Sequence, residues 1–209
     1  MFRLVSLIIG YAFGCLQSAD LIVRRKDGGN IRNIGTGNPG ASNVADQFGA
    51  KAGIVTLFLD MAKTILAILL CFAIFRDCAF SSIALNCGLG AIVGHCWPIQ
   101  KRFKGGRGIA CMFGIALILN WRIFLLLFFG EVLGALLTSY MIGGALGATF
   151  MFLLGLVLFN YSLEVTLLGF VICCAIMIRH TEKIKGMLRG EELKFSVARI
   201  LATFKKKED

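Results

Sequence analysis

Two glycine-rich segments carry the residue types of an anion site. The first is Gly35-Thr36-Gly37-Asn38-Pro39-Gly40-Ala41-Ser42-Asn43, and the second is Phe103-Lys104-Gly105-Gly106-Arg107-Gly108. Glycine lets a backbone amide approach an anion closely, and consecutive N–H groups form a concave nest for it. Lys104 and Arg107 add charge, and a helix starting near Gly108 would present its positive N-terminus. These are the ingredients of a phosphate site. Gly35, Gly37 and Gly40 also fit G-x-G-x-x-G, but no strand pattern precedes them, which excludes dinucleotide binding. Two flexible loops are the plainer alternative.

Four further residues carry ionisable groups in or beside apolar surroundings. Asp60 and Lys63 share one helix face inside an apolar run. Isolated charges there are expensive, so the two either neutralise each other or line a polar cavity that meets substrate. His95 closes another run at Gly94-His95-Cys96-Trp97-Pro98. His180 follows Arg179 at the last exit from apolar sequence, where a cluster of cations suits an anionic ligand.

The elements that must position these groups are helices in a membrane. Of 209 residues 57% are hydrophobic and only 16% charged, against roughly a quarter charged in a soluble domain. Apolar stretches fall at 2–23, 53–75, 78–98, 107–119, 123–142, 144–160 and 163–179. A span takes about 20 residues, so the fourth stretch is short and must tilt, thin the bilayer or re-enter. Arg3 before Leu4–Leu16, with Gly14-Cys15, has the outline of a signal peptide. Phe13 is too bulky for processing, and the segment reads as the first spanning helix.

Charge sets the topology. Arg24, Arg25, Lys26, Arg32 and Lys51 lie between the first two runs, and Lys101, Arg102, Lys104 and Arg107 between the third and fourth. Nine more lie from Arg179 to Lys207, so these segments hold 18 of the 22 Lys and Arg residues. Basic segments collect on the cytoplasmic side. About seven crossings, N-terminus outside and C-terminus cytoplasmic, place all three there. The expected fold is therefore an all-α, polytopic integral membrane protein with a single membrane-embedded domain over 1–192. Residues 193–209 form a basic cytoplasmic tail, either unstructured or an amphipathic helix on the inner leaflet. The net charge of +10 then points to anionic lipid headgroups and phosphorylated substrates rather than nucleic acid. The eight cysteines show no C-x-x-C pair and no histidine-spaced cluster. They read as small buried hydrophobes, with no metal and no cofactor expected.

Four motifs, in order and covering about residues 5–192, resemble the bacterial acyl-phosphate:glycerol-3-phosphate acyltransferases of the PlsY type. Gly35-Thr36-Gly37-Asn38 through Ala41-Ser42-Asn43 resembles GSGNxGATN, and Leu59-Asp60-Met61-Ala62-Lys63 resembles LDxxK. Gly94-His95 through Pro98 with Phe103-Lys104-Gly105-Gly106-Arg107-Gly108 is similar to GHxxPxxxxFKGGKG. Arg179-His180, Glu182, Ile184-Lys185, Leu188, Gly190 and Glu192 resemble RHRENIKRLLxGxE.

The resemblance implies a multi-pass enzyme of the bacterial inner membrane whose active site faces the cytoplasm. It would move a fatty acyl group from acyl phosphate to the 1-hydroxyl of glycerol 3-phosphate, giving lysophosphatidate for phospholipid synthesis. Carried over residue by residue, Thr36, Gly37, Asn38, Gly40, Ser42, Asn43, Lys104, Gly105, Gly106 and Arg107 would hold the donor phosphate. Lys104, Asn43 and His180 would be catalytic, and His180 would help hold the acceptor. Asp60, Lys63, His95 and Glu192 would support them. Acyl phosphate is an activated donor, so positioning and charge stabilisation supply the rate without a covalent acyl-enzyme.

The chain departs from the family pattern at several points. Asp46 stands where an arginine is usual, Cys111 where a threonine is usual, and Lys183 where an asparagine is usual. Ser139-Tyr140-Met141-Ile142 replaces Arg-Tyr-x-Ser. A second reading follows from these departures: a catalytically impaired relative that binds acylated or phosphorylated lipid precursors.

Overall fold

The computed structural model describes residues 1–27 and 29–192. The possible amphipathic helix in the tail lies outside them. Nine helices occupy the described residues: α1 (Phe2–Gly14), α2 (Ser18–Asp27), α3 (Ala41–Phe48), α4 (Ala50–Ile74), α5 (Phe80–Cys96), α6 (Ile109–Leu119), α7 (Trp121–Thr138), α8 (Met141–Leu158) and α9 (Leu163–Leu188). Short helical turns at Ile31–Asn33 and Ile99–Lys101 lie in the two glycine-bearing connections.

By length and composition six helical segments can cross a membrane: Phe2–Lys26, Ala50–Ile74, Phe80–Lys101, Trp121–Thr138, Met141–Leu158 and Leu163–Leu188. The seventh apolar helix, α6, has 11 residues. At about 1.5 Å per residue it is roughly half the thickness of a bilayer's hydrocarbon. Asn120 both ends α6 and caps α7: its extended backbone breaks the helix while its side chain accepts from the Arg122 N–H at 2.9 Å.

The first apolar stretch is not one continuous helix. α1 stops at Gly14, and α2 starts afresh at Ser18. The carbonyls freed at the break accept from the Lys63 ammonium, Gly14 at 3.3 Å and Leu16 at 2.6 Å. A cation at a helix C-terminus is favoured there, and burial strengthens the effect. Hydropathy alone does not show the break, because the cation that stabilises it comes from 47 residues away.

Two glycine seams hold the bundle. A Cβ at Gly10 or Gly14 of α1 would come within 2.0 or 2.1 Å of the Cys87 or Ala91 carbonyl of α5. At Gly134 of α7 and Gly147 of α8 it would meet the carbonyls of Gly143 and Gly130 at 2.2 and 2.1 Å. Lipid is as apolar as leucine, so close backbone approach rather than hydrophobic burial drives such contacts. The core runs through Ile68, Ile83, Ile92, Met112, Ile123, Phe152 and Ile176, while Leu66, Phe128, Phe150, Leu167 and Phe170 face outward. Cys15, Cys71, Cys87, Cys96, Cys111 and Cys173 are buried, and all eight cysteines are free thiols.

Candidate active site

Asn43, buried in the first turn of α3, organises the loop before it. Its Oδ1 accepts from the Thr36 N–H at 3.0 Å, and its Nδ2 donates to the carbonyls of Ile34 and Asn38 at 3.0 and 3.1 Å. The loop reaches that geometry through Gly35 and Gly37, with φ of +58° and +68°, and a Cβ at Gly35 would stand 2.3 Å from Asn43 Oδ1. The amides of Gly37 and Gly40 donate to the carbonyls of Ile34 and Asn38. The loop therefore uses most of its own N–H groups internally. The α3 N-terminus that follows, from Gly40 through Ala41, Ser42 and Asn43, has no side-chain cap. Thr36 and Ser42 are exposed beside it, and Asp46 is exposed one turn along.

The second loop lies against the end of α5. The amides of Gly105 and Gly106 donate to the carbonyls of Cys96 and His95 at 3.1 and 3.0 Å. Their own carbonyls accept from Arg179 of α9, whose guanidinium also lies 5.8 Å from the Trp97 ring centroid. A Cβ at Gly106 would come 2.1 Å from His95 Nε2. These two glycines thus permit close packing on His95, and their N–H groups are already engaged. Lys104 is exposed, with no side-chain partner among the described residues. Arg107 is half-buried; burial lowers its pKa from the ordinary value, Glu192 opposes that shift and Arg179 adds to it. It stays charged at neutral pH. Gly108, with φ +88°, starts α6 without a side-chain cap.

Beneath this loop Asp60, Lys63 and His95 form one buried cluster. Lys63 Nζ stands 2.7 Å from Asp60 Oδ1 and 3.0 Å from His95 Nδ1, and the Ser18 hydroxyl donates to Asp60 Oδ1 at 2.9 Å. Lysine only donates, so Nδ1 accepts and the histidine proton sits on Nε2. His180 is buried on α9 with Nδ1 2.8 Å from the Ile176 carbonyl. A carbonyl only accepts, so Nε2 of His180 is the free acceptor. Glu192 is bound by Lys183 through both oxygens at 2.6 and 2.7 Å.

Sequence reading did not single out three residues that join the loops. Arg32 Nη1 pairs with Asp20 at 2.7 Å, Arg32 Nε donates to the Lys104 carbonyl at 2.8 Å, and Lys101 Nζ pairs with Asp20 at 2.8 Å. The signal was present: an acid alone in the apolar start of the chain needs a cation nearby. Among the described residues no group of three His, Cys, Asp or Glu is arranged to hold a metal.

Apolar helices, glycine seams and a cation-rich end define an all-helical integral membrane protein. A family model described as glycerol-3-phosphate acyltransferase matches residues 4–190. The chain belongs to the glycerol-3-phosphate acyltransferase family. A relative of that name from Endomicrobium trichonymphae is 32% identical over 210 residues, covering 99% of this chain and 100% of its own. The fold is similar to a crystal structure of PlsY (YgiH), an integral membrane glycerol 3-phosphate acyltransferase, in its glycerol 3-phosphate form. The TM-score is 0.83 at 30% identity, over 95% of this chain and 98% of that one. Its lysophosphatidic acid form gives 0.82 at 28% identity, over 96% and 98%.

Proposed function

We propose that this chain transfers a fatty acyl group from acyl phosphate to the 1-hydroxyl of glycerol 3-phosphate, releasing inorganic phosphate and lysophosphatidate. The observation that carries the reading is the Asn43-braced loop and uncapped α3, joined through Arg32 to the loop of Lys104. Relatives named glycerol-3-phosphate acyltransferase, and PlsY structures in glycerol 3-phosphate and lysophosphatidic acid forms, support the acceptor and product of this reading.

In the proposed site the donor phosphate binds the first-turn amides of α3, the hydroxyls of Thr36 and Ser42, and the cations Lys104 and Arg107. Asn38, Gly37, Gly40, Gly105 and Gly106 shape that cradle. The glycerol hydroxyl oxygen attacks the acyl carbon, and the bond from that carbon to the phosphate oxygen breaks. Lys104 and Arg107 take up the charge that develops on the leaving phosphate. His180 Nε2 accepts a hydrogen bond from the acceptor, and the hydroxyl proton passes to the acceptor's own phosphate. Asp60, Lys63 and His95 hold the floor beneath the second loop, and Glu192 sits opposite Arg107. No metal, cofactor or acyl-enzyme enters.

We place the site at the cytoplasmic face of a bacterial inner membrane. Seven spans with the N-terminus outside agree with the basic segments, α6 being the short crossing. Residues 1–192 act as one membrane-embedded unit, followed by the basic tail. Palmitoyl phosphate and labelled glycerol 3-phosphate, given to purified protein, should yield labelled lysophosphatidate, and Lys104→Ala should abolish it. The rival reading, a relative that binds such lipids without turnover, draws on the exposed carboxylate of Asp46. Tight palmitoyl phosphate binding without product would establish it.

A further inference from the structure

Asp20 sits at the start of α2, 9% exposed, and both of its carboxylate oxygens are paired with cations. Oδ1 lies 2.7 Å from Arg32 Nη1, in the connection that leads to Gly35–Gly40. Oδ2 lies 2.8 Å from Lys101 Nζ, in the turn that leads to Lys104–Gly108. The same Arg32 side chain spends its Nε on the Lys104 carbonyl at 2.8 Å, 72 residues away in sequence. One carboxylate thus holds a cation from each loop, and one of those cations holds the backbone of the other loop.

We propose that Asp20 is a positioning residue that sets the separation between the two loops of the substrate cradle, acting through Arg32 and Lys101. The physical case rests on charge and reach. Without Asp20, two cations brought against one point repel each other in a partly desolvated place, and a buried partner left alone costs far more than a surface one. Arg32 serves two acceptors at once because a guanidinium presents several donors in a fixed fork. A lysine ammonium has one nitrogen and does not span that geometry. Arg32 also holds the backbone of Lys104 in place, while the Lys104 side chain has no partner among the described residues.

The kinetic part of this inference rests on the acyltransfer reading, so the test has two independent arms on the full-length purified protein. Amide hydrogen exchange is compared in the parent, Asp20→Asn and Arg32→Gln. Exchange in segments 31–40 and 98–108 should rise together, about tenfold, as expected when a local opening becomes easier. Segments of α7 and α8 should not change. In the kinetic arm, Asp20→Asn should raise KM for palmitoyl phosphate about tenfold with kcat within about threefold of the parent. The double variant Asp20→Asn with Arg32→Gln should be no worse than the worse single variant, since both remove one interaction. Arg32→Lys should not restore KM. If Asp20→Asn fails to fold, Lys101→Met removes one arm of the clasp and should shift the same two segments by a smaller factor. Unchanged exchange in either loop, or a lower KM in Asp20→Asn through release of Arg32 to the phosphate, would overturn the proposal. A parent without turnover defeats the acyltransfer reading only; the exchange arm still decides the clasp.

Discussion

The ammonium of Lys183 lies between both carboxylate oxygens of Glu192, at 2.6 and 2.7 Å, and so ties the segment after α9 back onto that helix. Gly190, with φ +71°, turns the chain so that the two can meet. Lys183 stands where the family pattern has an asparagine, and the pairing accounts for its charge. With side-chain exposures of 29% and 22% the pair is partly screened and contributes about 1 kcal/mol or less. Lys183→Asn frees the Glu192 carboxylate opposite Arg107. KM for glycerol 3-phosphate or palmitoyl phosphate should rise about fivefold, and adding Glu192→Gln should reverse most of that rise. Initial-rate measurements on both single variants and the double variant check it.

Asn43→Ala should separate activity from folding. The change removes three hydrogen bonds that hold residues 34–38 in shape. At about 1 kcal/mol each, their loss lowers kcat/KM roughly a hundredfold. None of the seam glycines lies in this loop, so the melting temperature of the bundle should fall by only a few degrees. Asn43→Asp should be at least as damaging, because a carboxylate oxygen would face the carbonyls of Ile34 and Asn38.

Gly106→Ala tests whether that glycine is kept for packing. Its Cβ would stand 2.1 Å from His95 Nε2, and that ring is fixed by Lys63. Relief requires movement of the loop or of the Asp60–Lys63–His95 cluster, so both thermal stability and activity should fall, by about 2 kcal/mol or more in stability. A variant with parental stability and reduced substrate affinity would assign the glycine to ligand contact instead.

Asp46 is exposed on the second turn of α3, where its charge would oppose the donor phosphate that the proposed site binds at the α3 N-terminus. Asp46→Arg should lower KM for palmitoyl phosphate by about two- to tenfold in low salt. The gain should shrink as ionic strength rises, because exposed charges are screened within about 10 Å at 0.1 M. A salt titration of KM in parent and variant measures it.

The amino-acid sequence by itself determined the class of fold and the family. Long apolar stretches separated by basic segments require spanning helices, because the energetics of a span depend on composition within one segment. The two loops were legible for the same reason, since glycine, asparagine and lysine stand out in a chain with so few polar residues. Only the tertiary structure decided what each loop residue does. The amides of Gly105 and Gly106 belong to Cys96 and His95, Lys63 holds the broken end of α1, and Asp20 joins Arg32 to Lys101. Each of these contacts crosses between elements, where hydropathy and spacing can mark a charge that needs a partner but do not name the partner. A hydrogen bond forms where the packed helices bring donor and acceptor within about 3 Å, and that distance exists only once the bundle has closed.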